Sequence, residues 1–487
     1  MLIDRERELQ ELRSLLDAGT PQLALLYGRR RVGKTFLLNH AWPREQTFYW
    51  TASETTPTQN REQLVRDFSE WSNESLDPRE YPTWRSIFRL LLEMRAGDPL
   101  AIVLDEFQYL GEDRRGLSAV ASELNAAWEQ RRPPRPLVMA LAGSAVSLMH
   151  ALDEGGAPLH GRFSWKGELR PFDYWHAAKM ANFRSLRDRA RAYGIFGGTP
   201  RYLDVVKPAQ PLADNATRLM LAPRGEVRGL VETAILQEQG LREIPKYQAI
   251  MRAIGSGYTE LNQIGQRAGL PVDTPLRDKI ERLIELQYVT PFRNLGAHTT
   301  TPFRYRLADP AFAFYYGFVS RHEALLQRAD PDQVWLHAVA PRLETYMGHV
   351  FERIVEQAYA RLQSRRDLPL VREWSRWEGK DRDGQSLEMD IAAPLTDGRV
   401  LTGAIKWNAK PLESKWHFHH LSSLERLASS GIGWAHQASG AEAPLLYVAA
   451  GGFTRDFIGA ARASRETVYL WSLQDIFAPG ESRRRRR

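Results

Sequence analysis

The stretch that most constrains this chain is Leu23-Ala-Leu-Leu-Tyr-Gly-Arg-Arg-Arg-Val-Gly-Lys-Thr35. An apolar run from Leu23 to Tyr27 reads as a buried strand and stops at Gly28. Gly33, Lys34 and Thr35 follow at the spacing G-x-x-x-x-G-K-T, and a helical pattern opens with Phe36, Leu37 and Leu38. Strand, loop and helix in this order are the context a P-loop requires. Glycines allow backbone N–H groups to close around phosphate oxygens, and the helix N-terminus adds a favourable dipole. A lysine at position 34 can reach β and γ phosphates, and the Thr35 hydroxyl can ligate Mg²⁺. The expected nucleotide contacts are therefore Gly28, Arg29, Arg30, Arg31, Val32, Gly33, Lys34, Thr35 and Phe36. The chain is expected to bind a nucleoside triphosphate.

A second motif supports the first. Pro99-Leu-Ala-Ile-Val-Leu-Asp-Glu106 is an apolar strand ending in two carboxylates, the Walker B pattern. Asp105 sits where it can hold Mg²⁺, and Glu106 where it can orient or deprotonate the attacking water. Thr47 to Thr51 and Leu137 to Gly143 read as further strands. Ser144, at the end of the latter, can hydrogen-bond the attacking water or the γ-phosphate. Glu168 to Phe172 reads as the last strand of this sheet. Asp4 is placed to cap a helix with Leu9, Leu12, Leu15 and Leu16 on its apolar face. Leu64, Phe68 and Trp71, then Ile87, Leu90, Leu91 and Met94, mark two more packing faces. Arg162 reads either as a solvated loop residue or as positive charge offered to a neighbouring subunit's nucleotide.

Composition narrows the class. At 487 residues the chain is too long for one ordinary core, so two to four domains are expected. Hydrophobic residues at 43% and charged residues at 26% indicate a globular protein. No apolar run is long enough to cross a bilayer, and the N-terminus does not read as a signal peptide. The absence of cysteine excludes disulfides and thiolate metal sites. A cytoplasmic protein without a membrane partner is expected. Subtracting the terminal arginines, Arg483 to Arg487, from the net charge of +7 leaves +2. That tail reads as a nucleic-acid contact or as a solvated end.

The motifs Arg5-Glu6, Gly28 to Thr35, Asp105-Glu106, Gly143-Ser144, Gly161-Arg162 and Gly197-Gly-Thr-Pro200 resemble the archaeal-type ATPases of the AAA+/STAND group. The resemblance implies an α/β core with a parallel sheet of order 5-1-4-3-2, a helical lid, a winged helix and a C-terminal nuclease-like domain. It implies ATP as the nucleotide and makes Arg201 a candidate lid contact to phosphate. The corresponding division is 1–175 for the core, 176–243 for the lid, 244–328 for the winged helix, 329–480 for the last domain and 481–487 for the tail.

On their own residues, positions 245 to 310 read as three helices and a hairpin. The third helix carries Leu276, Ile280, Leu283, Ile284 and Leu286 on one stripe, and strands follow at Tyr288 to Phe292 and Phe303 to Leu307. Such a helix can enter a DNA major groove, with Arg277, Lys279, Arg282 and Arg293 as candidate contacts. Asp278, Glu281 and Glu285 share that helix, so it is not a basic stripe. Further on, Ala311 to Phe318 reads as an aromatic helix packing a domain junction.

Glu352 on a helix, Asp390 on a strand read as Leu387 to Ala393, and Lys406 on the next strand resemble the PD-(D/E)XK nuclease core. The resemblance implies a metal held by acidic residues and a lysine stabilising phosphate charge. Ala404 occupies the position of the second metal ligand, and Glu388 is the available substitute. A nuclease fold with weak or no cleavage is therefore expected. Trp416, Leu421 and Leu424 read as the packing face of a helix on which His417, His419 and His420 are partly exposed.

Two functions are consistent with these residues. In the first, Mg²⁺-dependent ATP hydrolysis drives a DNA-linked switch or motor, with duplex DNA as partner. In the second, the ATP state controls self-assembly or a protein partner without nucleic acid, as in the STAND group. A homo-oligomer is expected if Arg162 acts in trans.

Overall fold

A computed structural model describes residues 3–93, 100–130, 136–238, 241–298, 300–365, 367–440 and 442–479. Met94, Pro99 and the arginine tail lie outside the described residues. The chain divides into two compact units: residues 1–172 with 199–201 and 234–244, and residues 173–198 with 202–233 and 245–487.

The first unit is built on five parallel strands: β1 (Pro21–Tyr27), β2 (Thr47–Thr51), β3 (Leu100–Asp105), β4 (Leu137–Gly143) and β5 (Trp165–Glu168), in the order β2-β3-β4-β1-β5. This is the expected 5-1-4-3-2 order read from the other edge. β3 and β4 are buried along their whole length, as strands covered on both faces must be. Side-chain alternation sorts the core into two layers. Ala24, Leu26, Val103 and Ala140 pack on one face with Leu9 and Leu12 of helix Glu6–Asp17 and Leu37 and Leu38 of helix Lys34–Ala41. Leu23, Leu25, Ile102 and Met139 pack on the other with helices Pro57–Ser72, Trp84–Glu93 and Arg114–Glu129. Truncating one of these leucines to alanine costs about 2–5 kcal/mol.

Two local expectations need correction. The N-cap of the first helix is Arg5, with no side-chain cap hydrogen bond, and Asp4 has a left-handed φ of +54°. The last strand is Trp165–Glu168, ending where it was expected to begin. Its partner β1 runs out at Tyr27, which pairs with Glu168. Beyond Leu169, whose N–H still donates to Tyr27 O at 2.7 Å, no ladder is available, and Pro171 has no N–H to give.

In the second unit, helices at Tyr174–Ala181, Leu186–Phe196 and Glu226–Glu232 occupy the region expected to be a lid. Helices Ile244–Gly255, Leu261–Ala268 and Thr274–Glu285 follow, then an antiparallel hairpin of β6 (Val289–Phe292) and β7 (Arg304–Leu307). Gly269, left-handed at φ +68°, closes the second helix, the usual role of glycine at that position. The C-terminal part contains a hairpin of β8 (Trp377–Lys380) and β9 (Ser386–Met389), and a four-stranded sheet. The sheet order is β10 (Ile391–Pro394), β11 (Val400–Lys406), β12 (Leu445–Ala449) and β13 (Val468–Trp471). The β10–β11 pair is antiparallel and the other two are parallel. Helix Ala340–Leu362 carries Glu352, and helix Lys415–Ser429 packs on the sheet through Leu424 and Leu427.

The strand expected over Leu387 to Ala393 is two strands broken at Asp390. The Asp390 carboxylate accepts the Ile405 N–H at 2.8 Å, so β9 turns to β8 while β10 continues along β11. The helix bearing the histidines also faces differently than expected. His417 and His420 are 1% and 5% exposed, whereas Trp416 is 37% exposed. The sheet below supplies hydroxyl partners: Tyr447 OH lies 2.9 Å from His417 Nδ1, and Thr402 Oγ1 lies 3.0 Å from His420 Nε2. Buried polar rings are tolerated when so paired.

Candidate active site

The site lies at the C-terminal ends of β1, β3 and β4. Gly28 is pressed against the chain leaving β5: a Cβ there would stand 2.2 Å from the Leu169 carbonyl oxygen. Gly33 has φ +101° and is the N-cap of helix Lys34–Ala41, with open space where a side chain would stand. Arg31 is also left-handed, at φ +72°, and donates to Gln237 Oε1 at 3.2 Å. Arg29 and Val32 are buried. Arg30 donates to Tyr109 OH at 2.7 Å, tying the loop to the segment after β3. Phe36 is 45% exposed and stacks on His40, with ring centres 4.2 Å apart.

Lys34 is 5% exposed, and its Nζ donates to the carbonyls of Gly28 at 2.8 Å and Arg29 at 3.2 Å. Burial pulls its pKa down, while Glu106 and Asp105 act in the opposite sense. A buried ammonium whose hydrogen bonds go to two carbonyls favours an anion beside it.

The two carboxylates are held by neutral donors. Asp105 Oδ2 accepts from Thr35 Oγ1 at 3.1 Å and from Tyr49 OH at 2.5 Å, and its Oδ1 accepts the Glu106 N–H at 2.9 Å. Burial and the Asp105 charge push the Tyr49 pKa well up, so the phenol remains a donor. Glu106 Oε2 accepts from Ser144 Oγ at 2.6 Å, from Ser144 N at 3.2 Å, and from Gln108 Nε2. Burial raises the Glu106 pKa, but the Ser144 hydrogen bond, the Lys34 charge and the Gln108 amide outweigh it, and the net shift is down. Glu106 itself is left-handed, at φ +53° and ψ +40°, a conformation that costs a non-glycine residue about 1–3 kcal/mol.

Ser144 is thus engaged with Glu106, whereas it was expected to be aimed at water or phosphate. Sequence reasoning also missed Gln108. It is 2% exposed and its Nε2 also reaches Ser144 Oγ at 3.3 Å. Room for it is made at Gly143, where a Cβ would stand 2.4 Å from Gln108 Oε1. The available signal was a lone polar side chain within Phe107-Gln-Tyr-Leu110, two residues after Glu106.

Of the remaining candidates, Arg162 pairs with Glu129 at 3.0 Å on the surface. Arg201 is exposed and belongs to the short segment Thr199–Arg201 that clusters with the first unit.

The four nuclease-like candidates are arranged otherwise than a metal site requires. Asp390 is paired with Lys406 Nζ at 2.8 Å. Arg376 takes Glu388 at 2.6 Å and Glu352 at 3.4 Å. Each carboxylate already faces a protein cation, and among the described residues no group of three acidic or histidine side chains could hold a metal ion. Glu352 is pushed up to about 7, chiefly by burial, with Arg376 opposing. These residues do not fit a bound metal.

Known proteins match two stretches of the chain. Residues 2–206 match a family described as an ATPase domain predominantly from Archaea. Residues 315–417 match a family of archaeal and bacterial proteins of unknown function. An uncharacterized protein of Methanocaldococcus jannaschii is 23% identical over 414 residues, 84% of this chain and 88% of that protein. Among solved structures, the Walker-type ATPase of Pyrococcus abyssi is similar at 22% identity and TM-score 0.47, over 65% of this chain and 96% of that one. The Aeropyrum pernix ORC2 protein is similar at 16% identity and TM-score 0.44, over 67% and 94%. No helix among the described residues is long and apolar enough to cross a membrane. The P-loop and the two carboxylates at the sheet end all lie within residues 2–206, the stretch that is similar to this ATPase domain.

Proposed function

We propose that the chain hydrolyses ATP with Mg²⁺ at the end of this sheet. The observation that carries the reading is the Asp105–Glu106 pair, Asp105 buried and Glu106 half-buried, held by neutral donors beside the buried Lys34. Thr35 and Asp105, in contact at 3.1 Å, would hold the cation. When bound, it would neutralise charge on the phosphates. Backbone N–H groups of Gly28 to Thr35 and the Lys34 ammonium bind and orient the triphosphate. Glu106, kept ionised, accepts a proton from the attacking water, and Ser144 and Gln108 fix its position. Arg162, in a homo-oligomer, would first have to leave Glu129. Their exposed pair costs little to break.

The reading extends to a switch that moves the second unit in response to nucleotide, with lid, winged-helix and nuclease-like parts divided near residues 175, 243 and 328. Duplex DNA is the proposed partner. Three helices followed by an antiparallel hairpin support it, and Arg277 on the third helix is exposed. A protein partner is the second reading, favoured by how the other cations there are engaged. Arg282 pairs with Glu285 at 2.7 Å, Lys279 lies over Tyr247, and Arg293 lies 3.5 Å from the Phe303 ring centre.

Steady-state hydrolysis with and without duplex DNA, across a salt series and with Lys34→Ala as control, tests both. A DNA-linked switch gives a several-fold rise that fades with salt. A rate indifferent to DNA at low salt selects the protein partner. A Lys34→Ala protein as active as wild type sinks the ATPase reading.

A further inference from the structure

In the second unit, the β6–β7 hairpin, β8 and helix Ala340–Leu362 wall a cleft of about 360 Å³. Four guanidiniums line it, Arg304, Arg306, Arg353 and Arg376, against two carboxylates, Glu352 and Glu378. Two of the four are well paired. Glu378 takes both Arg304 and Arg376, the latter at 2.7 Å, and Arg376 also holds Glu352 and Glu388.

The other two are under-satisfied. The acidic partner of Arg306, Glu356, stands at 3.4 Å, and among the described residues the buried Arg306 Nε, like that of Arg376, has no hydrogen-bond partner. Arg353 makes one hydrogen bond among the described residues, a 3.4 Å contact with Leu307 O. Burial, then the charge of Arg353, pulls the Arg306 pKa down, so the two cations lie within each other's field. Like charges side by side repel unless a counter-charge intervenes. The counter-charges the chain offers Arg306 are Glu356, at the long end of contact range, and Glu352, which Arg376 also holds. An oxyanion can take several N–H donors from adjacent guanidiniums in their fixed planar geometry.

We propose that this cleft is a binding site for a phosphate group, with Arg306 and Arg353 as its main ligands and Arg304 and Arg376 as the outer positive wall. The bearer is a small molecule. The volume is within the range of small-ligand pockets, and Phe292 and Tyr305 are among the residues that line the cleft. Helix Ala340–Leu362 and β8 fall in the stretch matched to proteins of unknown function. The site is independent of the P-loop reading.

Calorimetric titration at low ionic strength tests it, using full-length Lys34→Ala protein so that the P-loop contributes least. Inorganic phosphate and AMP are the probes, each to about 10 mM, which covers millimolar affinity. Saturable binding is expected, weakened roughly tenfold or more in Arg353→Ala and in Arg306→Gln, the loss of a charge-assisted contact. Arg353→Lys should fall between, because a lysine keeps the charge and loses the fork. Two arginine variants are used so that a folding failure in one, seen by circular dichroism, leaves the other to decide. AMP binding more tightly than phosphate identifies an organic phosphate as the ligand. Equal affinity identifies free phosphate. No saturable binding of either probe, or binding unchanged in both variants, overturns the proposal. So does saturable binding of a short DNA oligonucleotide, titrated as a third probe, when neither phosphate nor AMP binds.

Discussion

Two groups of carboxylates in this chain are held in opposite ways. Asp105 and Glu106 accept hydrogen bonds from Thr35, Tyr49, Ser144, Gln108 and backbone N–H groups, all neutral. Asp390, Glu352 and Glu388 face Lys406 and Arg376. Neutral donors fix a carboxylate in place and leave its charge available to an incoming cation. Protein cations fix it and cancel that charge. Acidic residues with a catalytic spacing can therefore belong to a reactive centre or to a closed ion-pair network, and the identity of the donors decides which.

The sharpest way to break this comparison is Glu106→Gln. Turnover should fall by about 10²–10⁴, the range for losing a general base, with nucleotide affinity within a few-fold of wild type. A variant that still turns over would show that Glu106 is not the base. Asp105→Asn should raise the Mg²⁺ concentration for half-maximal activity by roughly tenfold or more, the scale of removing one charged ligand contact. An unchanged Mg²⁺ profile would remove Asp105 from the cation site. Gln108→Leu should lower kcat about tenfold, one hydrogen bond's worth, with KM little changed. It should also move the acid limb of the pH–rate profile upward. Gln108 helps hold the Glu106 pKa down, so without it the base is protonated at a higher pH. A fall in thermal stability with an unshifted limb would reduce Gln108 to a packing role.

The second region is tested by Arg376→Ala. Stranding Glu352 and Glu388 should cost about 1–3 kcal/mol, and titration with Mn²⁺ should reveal divalent binding that wild type lacks. Absence of both effects would mean that Arg376 is not what neutralises the cluster. The smallest effect concerns pH. Burial first, then neighbouring His417, pushes His420 down to about 3 from its ordinary 6.5. The unfolded chain therefore takes up this proton before the folded one. The stability that His420 gives is full above 6.5 and is lost as pH falls toward 3. At pH 5.5 the loss is about 1.4 kcal/mol relative to neutral pH. Glu352, raised to about 7, acts in the opposite sense. Urea unfolding of wild type against His420→Gln at pH 7.5 and 5.5 isolates the histidine, and a constant difference would contradict it.

The first unit was largely legible. Its strands are short apolar runs and its loop spacing has one structural context, so Leu23 to Thr35 and Asp105-Glu106 mark the sheet end from sequence alone. What sequence could not supply was who holds whom. Ser144 and Gln108 converge on Glu106 because β4 is in register with β1 and β3, with Tyr27 opposite Gly143 and Leu104 opposite Leu141, and pairing register is a long-range property. The second unit was less legible for the same reason. Nothing local says that the run Leu387 to Ala393 changes partners at Asp390. Helical periodicity alone could not tell that the sheet offers hydroxyls to His417 and His420 while Trp416 is left outside.

The three glycines around the active site differ in how their loss could be forgiven. At Gly28 the obstacle is the Leu169 carbonyl, a main-chain atom, so no second-site change of side chain removes it. At Gly33 the obstacle is the backbone angle alone, so alanine there meets a dihedral penalty and no collision. At Gly143 the obstacles are the Gln108 amide and the Met149 side chain, with Sδ 2.5 Å from a new Cβ. A genetic screen starting from Gly143→Ala should therefore yield suppressors at Met149 that restore activity. The same screen from Gly28→Ala should yield only revertants.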